Sequence, residues 1–185
     1  QDGNITRVDR VTFETMSIRP QPATGAPALR WHWDTPLTMS PHDPKAIYAP
    51  ANKVFRSSDR GLSFVAISPD LTSGATRDDI VTIGVKGSDI QIARNDGIGA
   101  WPAIVAFAES PKRAGLLYAG TDDGNLSMSR DAGKTWTNVF AKIPGLHQGV
   151  PLKIQHLTAI GFGDPSISYA HRYFSNGRLC SRSGR

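Results

Sequence analysis

The sequence predicts an all-β chain built from a repeated antiparallel module, and three observations carry that prediction. The octapeptide SSDRGLSF at Ser57–Phe64 returns as SRDAGKTW at Ser129–Trp136, so that S-x-D-x-G-x-[ST]-aromatic occurs twice. Ser-Pro precedes Tyr-Ala by one fixed interval in both copies, Pro41 to Tyr48 and Pro111 to Tyr118, and GDPSISYA supplies a third, partial copy in which Asp164-Pro165 precedes Tyr169. Apolar residues alternate with a period of two, and no segment sustains a helical period. The repeat unit is about fifty to seventy residues long and present about three times. The approximate modules are 29–71, 101–143 and 154–185, with a connecting insertion at 72–100.

Within a module the elements follow in order. Ala46–Ala49 and Leu116–Ala119 are short apolar runs entered from Ser-Pro and a polar turn, as strands are. Thr121-Asp122-Asp123-Gly124-Asn125 then supplies a tight hairpin turn, since Asp and Gly tolerate positive φ. Val54, Leu126 and Met128 lead into the octapeptide. After it, Ser63–Ile67 and Thr135–Val139 alternate as half-buried strands do. The insertion TSGATRDDIVTIGVKGSDIQIARNDGIGAWPAIV is too long for a bare connection and predicts a hairpin or a blade's inner strands, with Asn95-Asp96-Gly97 as a turn.

The octapeptide chemistry is that of a folding clasp. Asp59 and Asp131 can accept backbone N–H bonds across a tight turn, and Gly61 and Gly133 can take the φ it needs. Hydroxyls from Ser57, Ser63, Ser129 and Thr135 can close the loop. Phe64 and Trp136 are then expected to bury at the start of the next strand. A motif present once per module marks the repeat unit rather than a catalytic site.

The composition describes one folded unit: 185 residues, 39% hydrophobic and 20% charged. No apolar run approaches the roughly 18 residues of a transmembrane helix. The N-terminus QDGNITRV has no apolar core after a basic start, so the signal of an exported parent is expected outside this chain. One cysteine, Cys180, cannot form an internal disulfide. The net charge of +5 comes largely from Arg172, Arg178, Arg182 and Arg185; the remaining residues carry 17 basic and 16 acidic groups. A basic tail of that kind does not make a nucleic-acid-binding face, and no aromatic–basic interleaving accompanies it.

Ser57-Ser58-Asp59-Arg60-Gly61-Leu62-Ser63-Phe64 and Ser129-Arg130-Asp131-Ala132-Gly133-Lys134-Thr135-Trp136 resemble Asp boxes, or BNR repeats. Such boxes occur in sialidases, xyloglucanase-type glycoside hydrolases and sortilin-type receptors. The wider run over about residues 3 to 149 is similar to the bacterial sortilin-like group often labelled glycosyl hydrolase. The resemblance implies a β-propeller of four-stranded blades. Its Asp boxes lie at the turns between third and fourth strands, on the face away from the usual ligand site. It also implies an extracellular or periplasmic setting. Propellers close with about 4 to 8 blades, so the chain is expected to be a partial propeller of about three to four blades. The expected form is an open stack that associates with the remaining blades of a parent protein. After Gly149 the match thins, and Ser181–Arg185 offers no aspartate where a third box would begin.

Two functions are expected from this resemblance: a non-catalytic blade set binding a protein, peptide or glycan ligand, or part of an Asp-box glycoside hydrolase using two carboxylates. The candidate ligand face is Arg30-Trp31-His32-Trp33-Asp34, where strand alternation would put Arg30, His32 and Asp34 on one side and both tryptophans on the other. Asp122-Asp123 suggests a glycosidase acid and nucleophile, but adjacent residues on a strand diverge and a turn is expected here, so the structural reading is preferred. No cofactor motif stands out: Gly84–Ser88 lacks Walker spacing, and five histidines and one cysteine show no metal-ligand spacing. Ser17-Ile18-Arg19-Pro20 resembles the sialidase arginine motif only loosely. Asn4-Ile5-Thr6 and Asn125-Leu126-Ser127 match the glycosylation sequon.

Overall fold

Short apolar runs broken by turn residues assemble here into antiparallel sheets, with no α-helix among the described residues. The computed structural model describes residues 2–142 apart from 80, 83, 91 and 93–99, together with backbone pairing at 174–175 and 178–179. A hairpin of β1 (Thr6–Val8) and β2 (Thr15–Ser17) comes first. The first four-stranded sheet follows, made of β3 (Thr38–Met39), β4 (Ile47–Pro50), β5 (Val54–Ser57) and β6 (Val65–Ala66) in sequential order. A small hairpin of β7 (Val81–Thr82) and β8 (Val85–Lys86) lies between the sheets in sequence. The second four-stranded sheet is β9 (Ile104–Glu109), β10 (Leu117–Thr121), β11 (Leu126–Ser129) and β12 (Thr137–Asn138), again in sequential order. A last backbone pair joins β13 (Phe174–Ser175) to β14 (Arg178–Leu179).

The two sheets share one register. Tyr48 and Tyr118 occupy the same place in their second strands, opposite Arg56 and Met128. Alternation then sorts the faces. Tyr48 and Val54 point from the first sheet toward the second, where they join Leu71, Ile104, Leu117 and Ala119 in one buried cluster. Ala49 and Phe55 point the other way, into a cluster with Ile5, Ile18, Trp31 and Ala51. The first sheet is therefore covered on both faces, and β4 and β5 are almost continuously buried for that reason. The layers run hairpin, first sheet, second sheet.

The β1–β2 hairpin is a third copy of the outer half of a sheet, which the sequence reading did not identify. The amide of Ile18 donates to the Ile5 carbonyl, as Ile67 does to Val54 and Val139 to Leu126, at 2.9, 2.9 and 2.7 Å. The cross-strand pairs Arg7–Met16, Arg56–Val65 and Met128–Thr137 all span the same interval. Only the turn differs. In place of Ser-x-Asp, Asp9 Oδ1 accepts the amides of Val11 and Thr12 at 2.7 and 3.0 Å.

Two four-stranded antiparallel sheets form among the described residues, with no closed ring. Side chains of 154–185, including any third module, lie outside the described residues, as does the Asn95-Asp96-Gly97 turn. The insertion does contain a hairpin, but it turns at Gly84. The strands after the octapeptides are only two residues long and exposed, because they are the outermost of each sheet. Phe64 and Trp136 are half-buried rather than buried.

Candidate functional site

Both octapeptides fold into the same hydrogen-bonded turn. In the first, the Ser57 hydroxyl donates to Asp59 Oδ1 at 2.7 Å and accepts the amide of Gly61 at 2.7 Å. Asp59 accepts the Ser63 amide on Oδ1 at 2.9 Å and the Ser63 hydroxyl on Oδ2 at 2.6 Å. In the second, Ser129 donates to Asp131 at 2.8 Å and accepts the Gly133 amide at 2.8 Å. Thr135 supplies amide and hydroxyl to Asp131 at 2.9 and 2.6 Å. The turn needs two successive left-handed residues: Arg60 and Gly61 at φ 61° and 87°, Ala132 and Gly133 at 60° and 93°.

Each turn also seats on the layer before it. A Cβ on Gly61 would stand 2.7 Å from Ile18 Cδ1, and one on Gly133 would stand 2.7 Å from the Ile67 carbonyl oxygen. The Trp136 indole N–H donates to that same Ile67 carbonyl at 2.8 Å. Phe64 packs at the rim of the cluster between hairpin and first sheet. The aromatic that closes the octapeptide is therefore a half-buried inter-layer wedge.

The hydrogen bonds set the acidity of both carboxylates. Ser63, through its hydroxyl and amide, and Ser57 hold Asp59 at a pKa of about 2; Thr135 and Ser129 do the same for Asp131, also at about 2. A carboxylate whose pKa is depressed on folding stabilises the fold above its unfolded pKa, about 3.8, and that contribution is lost as pH falls through 2. Thermal midpoints measured from pH 5 to pH 2 are expected to fall steeply below pH 4. The Asp59→Asn, Asp131→Asn double variant is expected to start lower and fall less.

At the opposite end of the sheets, the loops after β4 and β10 meet the connections leading into each sheet, and a polar cluster forms. The Arg30 guanidinium donates through Nη2 to Asp70 at 2.6 Å and to Thr72 at 2.9 Å, and through Nε to the Pro102 carbonyl at 2.8 Å. Buried Asn52 accepts the Arg30 amide at 3.0 Å and donates to Asp70 at 2.8 Å. Asp123 accepts the Ser73 amide at 2.6 Å and the Thr121 hydroxyl. Asp122 accepts the Ala103 amide at 2.9 Å.

Asp122 and Asp70 titrate in opposite directions. Burial pushes Asp122 above the ordinary carboxylate range, against the pull of the Ala103 amide and of His32. Burial also raises Asp70, but hydrogen bonds from Thr72, Asn52 and Arg30 together outweigh it and leave Asp70 below that range.

Arg30, His32 and Asp34 do not line one face of a strand. Residues 30–34 are not extended: the Thr35 hydroxyl donates to the His32 carbonyl at 2.5 Å and the Asp34 amide to His32 Nδ1 at 3.1 Å, which closes a turn. The tryptophans consequently part, Trp31 2% exposed against Phe55 and Trp33 63% exposed. Arg30 belongs to the inter-sheet cluster, His32 lies beside Asp122, and Asp34 is exposed. Asn52, Asp70 and Thr72 were not singled out in the sequence. Asp70-Leu71-Thr72 does carry a local signal, since Asp70 Oδ1 accepts both amide and hydroxyl of Thr72 at 3.0 and 2.7 Å.

Among the described residues, no three His, Cys, Asp or Glu side chains converge as a metal site. No helix among them is long and apolar enough to cross a membrane. No protein-family model matches the sequence, and no curated protein matches it.

Proposed function

We propose that the chain is a non-catalytic, ligand- or protein-binding part of an Asp-box β-propeller of the bacterial sortilin-like group. The observation that carries this reading is the identical hydrogen-bonded turn at Ser57–Phe64 and Ser129–Trp136, each seated on the preceding layer. Stacking of that kind propagates a radial array of sheets, and the ligand face is then the loop end opposite the boxes. Further blades of the parent protein are its first partners. Val139, the counterpart of Ile67, is half-buried, and among the described residues no third box is seated on it.

A non-catalytic role is supported by how the loop-end groups are used. Asp70 is held by Arg30, Asn52 and Thr72, and Asp123 by Ser73 and Thr121. The second reading, an Asp-box glycoside hydrolase, is favoured by one observation: burial raises Asp122, as a general acid requires. Assay of the full-length parent against aryl glycosides and polysaccharides separates the two. No turnover is expected, and turnover abolished by Asp122→Asn would overturn the binding reading in favour of the enzyme.

A further inference from the structure

A cleft of about 750 Å³ opens at the octapeptide end, between the β1–β2 turn and the first octapeptide. Arg7, Arg10, Lys45 and Arg60 line it, with Val8, Asp9, Ser58, Asp59 and Leu62. Among the described residues, none of the four cations has a carboxylate oxygen within salt-bridge distance. Arg7 reaches only the Arg60 carbonyl, at 3.5 Å. The two acids of the lining are occupied within their own turns: Asp9 by the Val11 and Thr12 amides, Asp59 by Ser57 and Ser63.

The repeat shows that two of these cations are not needed by the fold. Lys45 and Arg60 are joined by a backbone hydrogen bond of 2.9 Å, and the same bond of 2.9 Å in the second copy joins Gly115 to Ala132. The backbone of the turn residue is the same, with Ala132 at φ 60° and Arg60 at φ 61°, whereas Gly115 is left-handed at φ 74° and Lys45 is not. The second copy thus makes the turn with no side-chain charge at either place, whereas the first carries a lysine and an arginine facing a cleft.

We propose that this cleft is a binding site for an acidic peptide segment, distinct from the loop-end face. Arginine guanidinium groups fit carboxylates with paired N–H donors, and four cations against the two carboxylates Asp9 and Asp59 leave the open cleft net positive toward an anion. Between them Val8 and Leu62 are 51% and 62% exposed, an apolar pair suited to aliphatic side chains alternating with the acids. Among the described residues no aromatic ring lines the cleft to stack a sugar, and the exposed Val8 and Leu62 favour a peptide over an anionic glycan.

The test uses the full chain and a fluorescent peptide of alternating glutamate and leucine, followed by anisotropy at low salt, with its lysine–leucine counterpart and a galacturonate oligomer alongside. The variant Lys45→Gln, Arg60→Ala removes both charges, with Ala132 as the precedent for alanine at this φ, so its thermal midpoint is expected to stay close to unchanged. Its affinity for the acidic peptide is expected to drop about tenfold, the loss of two exposed ion pairs. Arg7→Gln, Arg10→Gln reads the other wall and is expected to weaken binding similarly. No binding of the acidic peptide, or binding equally strong in both variants, overturns the site. Tighter binding of the galacturonate oligomer than of the peptide overturns the ligand class.

Discussion

Leu117→Ala is expected to destabilise the chain by about 3 kcal/mol, read as a lower urea midpoint with an unchanged slope. Leu117 is 0% exposed and lies where the second sheet meets the first, against Tyr48, Val54, Leu71 and Ile104. Deleting its isobutyl group removes apolar burial and leaves a cavity that two facing sheets cannot close without shifting register. Ile47 holds the same strand position in the first sheet but is only half-buried, so Ile47→Ala is expected to lose distinctly less. Equal losses at the two positions, or a Leu117→Ala effect below about 1 kcal/mol, would mean that the sheets do not pack face to face as described.

Gly133→Ala is the second large effect, about 2–4 kcal/mol, from backbone strain at φ 93° and collision with the layer behind. The new methyl carbon would stand 2.7 Å from the Ile67 oxygen and 2.9 Å from its Cβ, and the oxygen also receives the Trp136 indole N–H. Gly124 provides the control. Its φ is 90°, yet nothing lies within 4 Å of a Cβ placed there, so Gly124→Ala carries the strain alone. It is expected to cost about 1 kcal/mol. The difference between the two variants isolates the seating contact, and no difference would show that the octapeptide turn does not rest on the first sheet.

What the sequence revealed was local chemistry. The octapeptides could be read because every partner in the turn lies within four residues: Ser57 to Gly61, Asp59 to Ser63. The Tyr-Ala strands could be read because period two survives wherever a strand is inside a sheet. The β1–β2 hairpin escaped because its geometry is that of the other copies while its turn is closed by Asp9 and Thr12, without the serine and glycine that mark them. Trp31 to Asp34 misled for a related reason. Two side-chain bonds within that stretch outcompete extension, and the alternating pattern that suggested a strand is coincidental. Arg30 joins Asp70, Thr72 and Pro102, 40 to 72 residues away, and no local pattern encodes a contact at that distance.

The seating of each octapeptide on the residue that ends the previous hairpin gives the array a direction, as overlapping roof tiles have. Ile18 must be in place before Gly61 can lodge against it, and Ile67 before Gly133. Support is thus handed forward along the chain, in the order in which a ribosome would deliver it. Trimming from the far end removes only what has been laid last. Removing β1 and β2 strips the seat of Gly61 and uncovers one face of the first sheet, so their loss should cost far more than loss of the exposed β12.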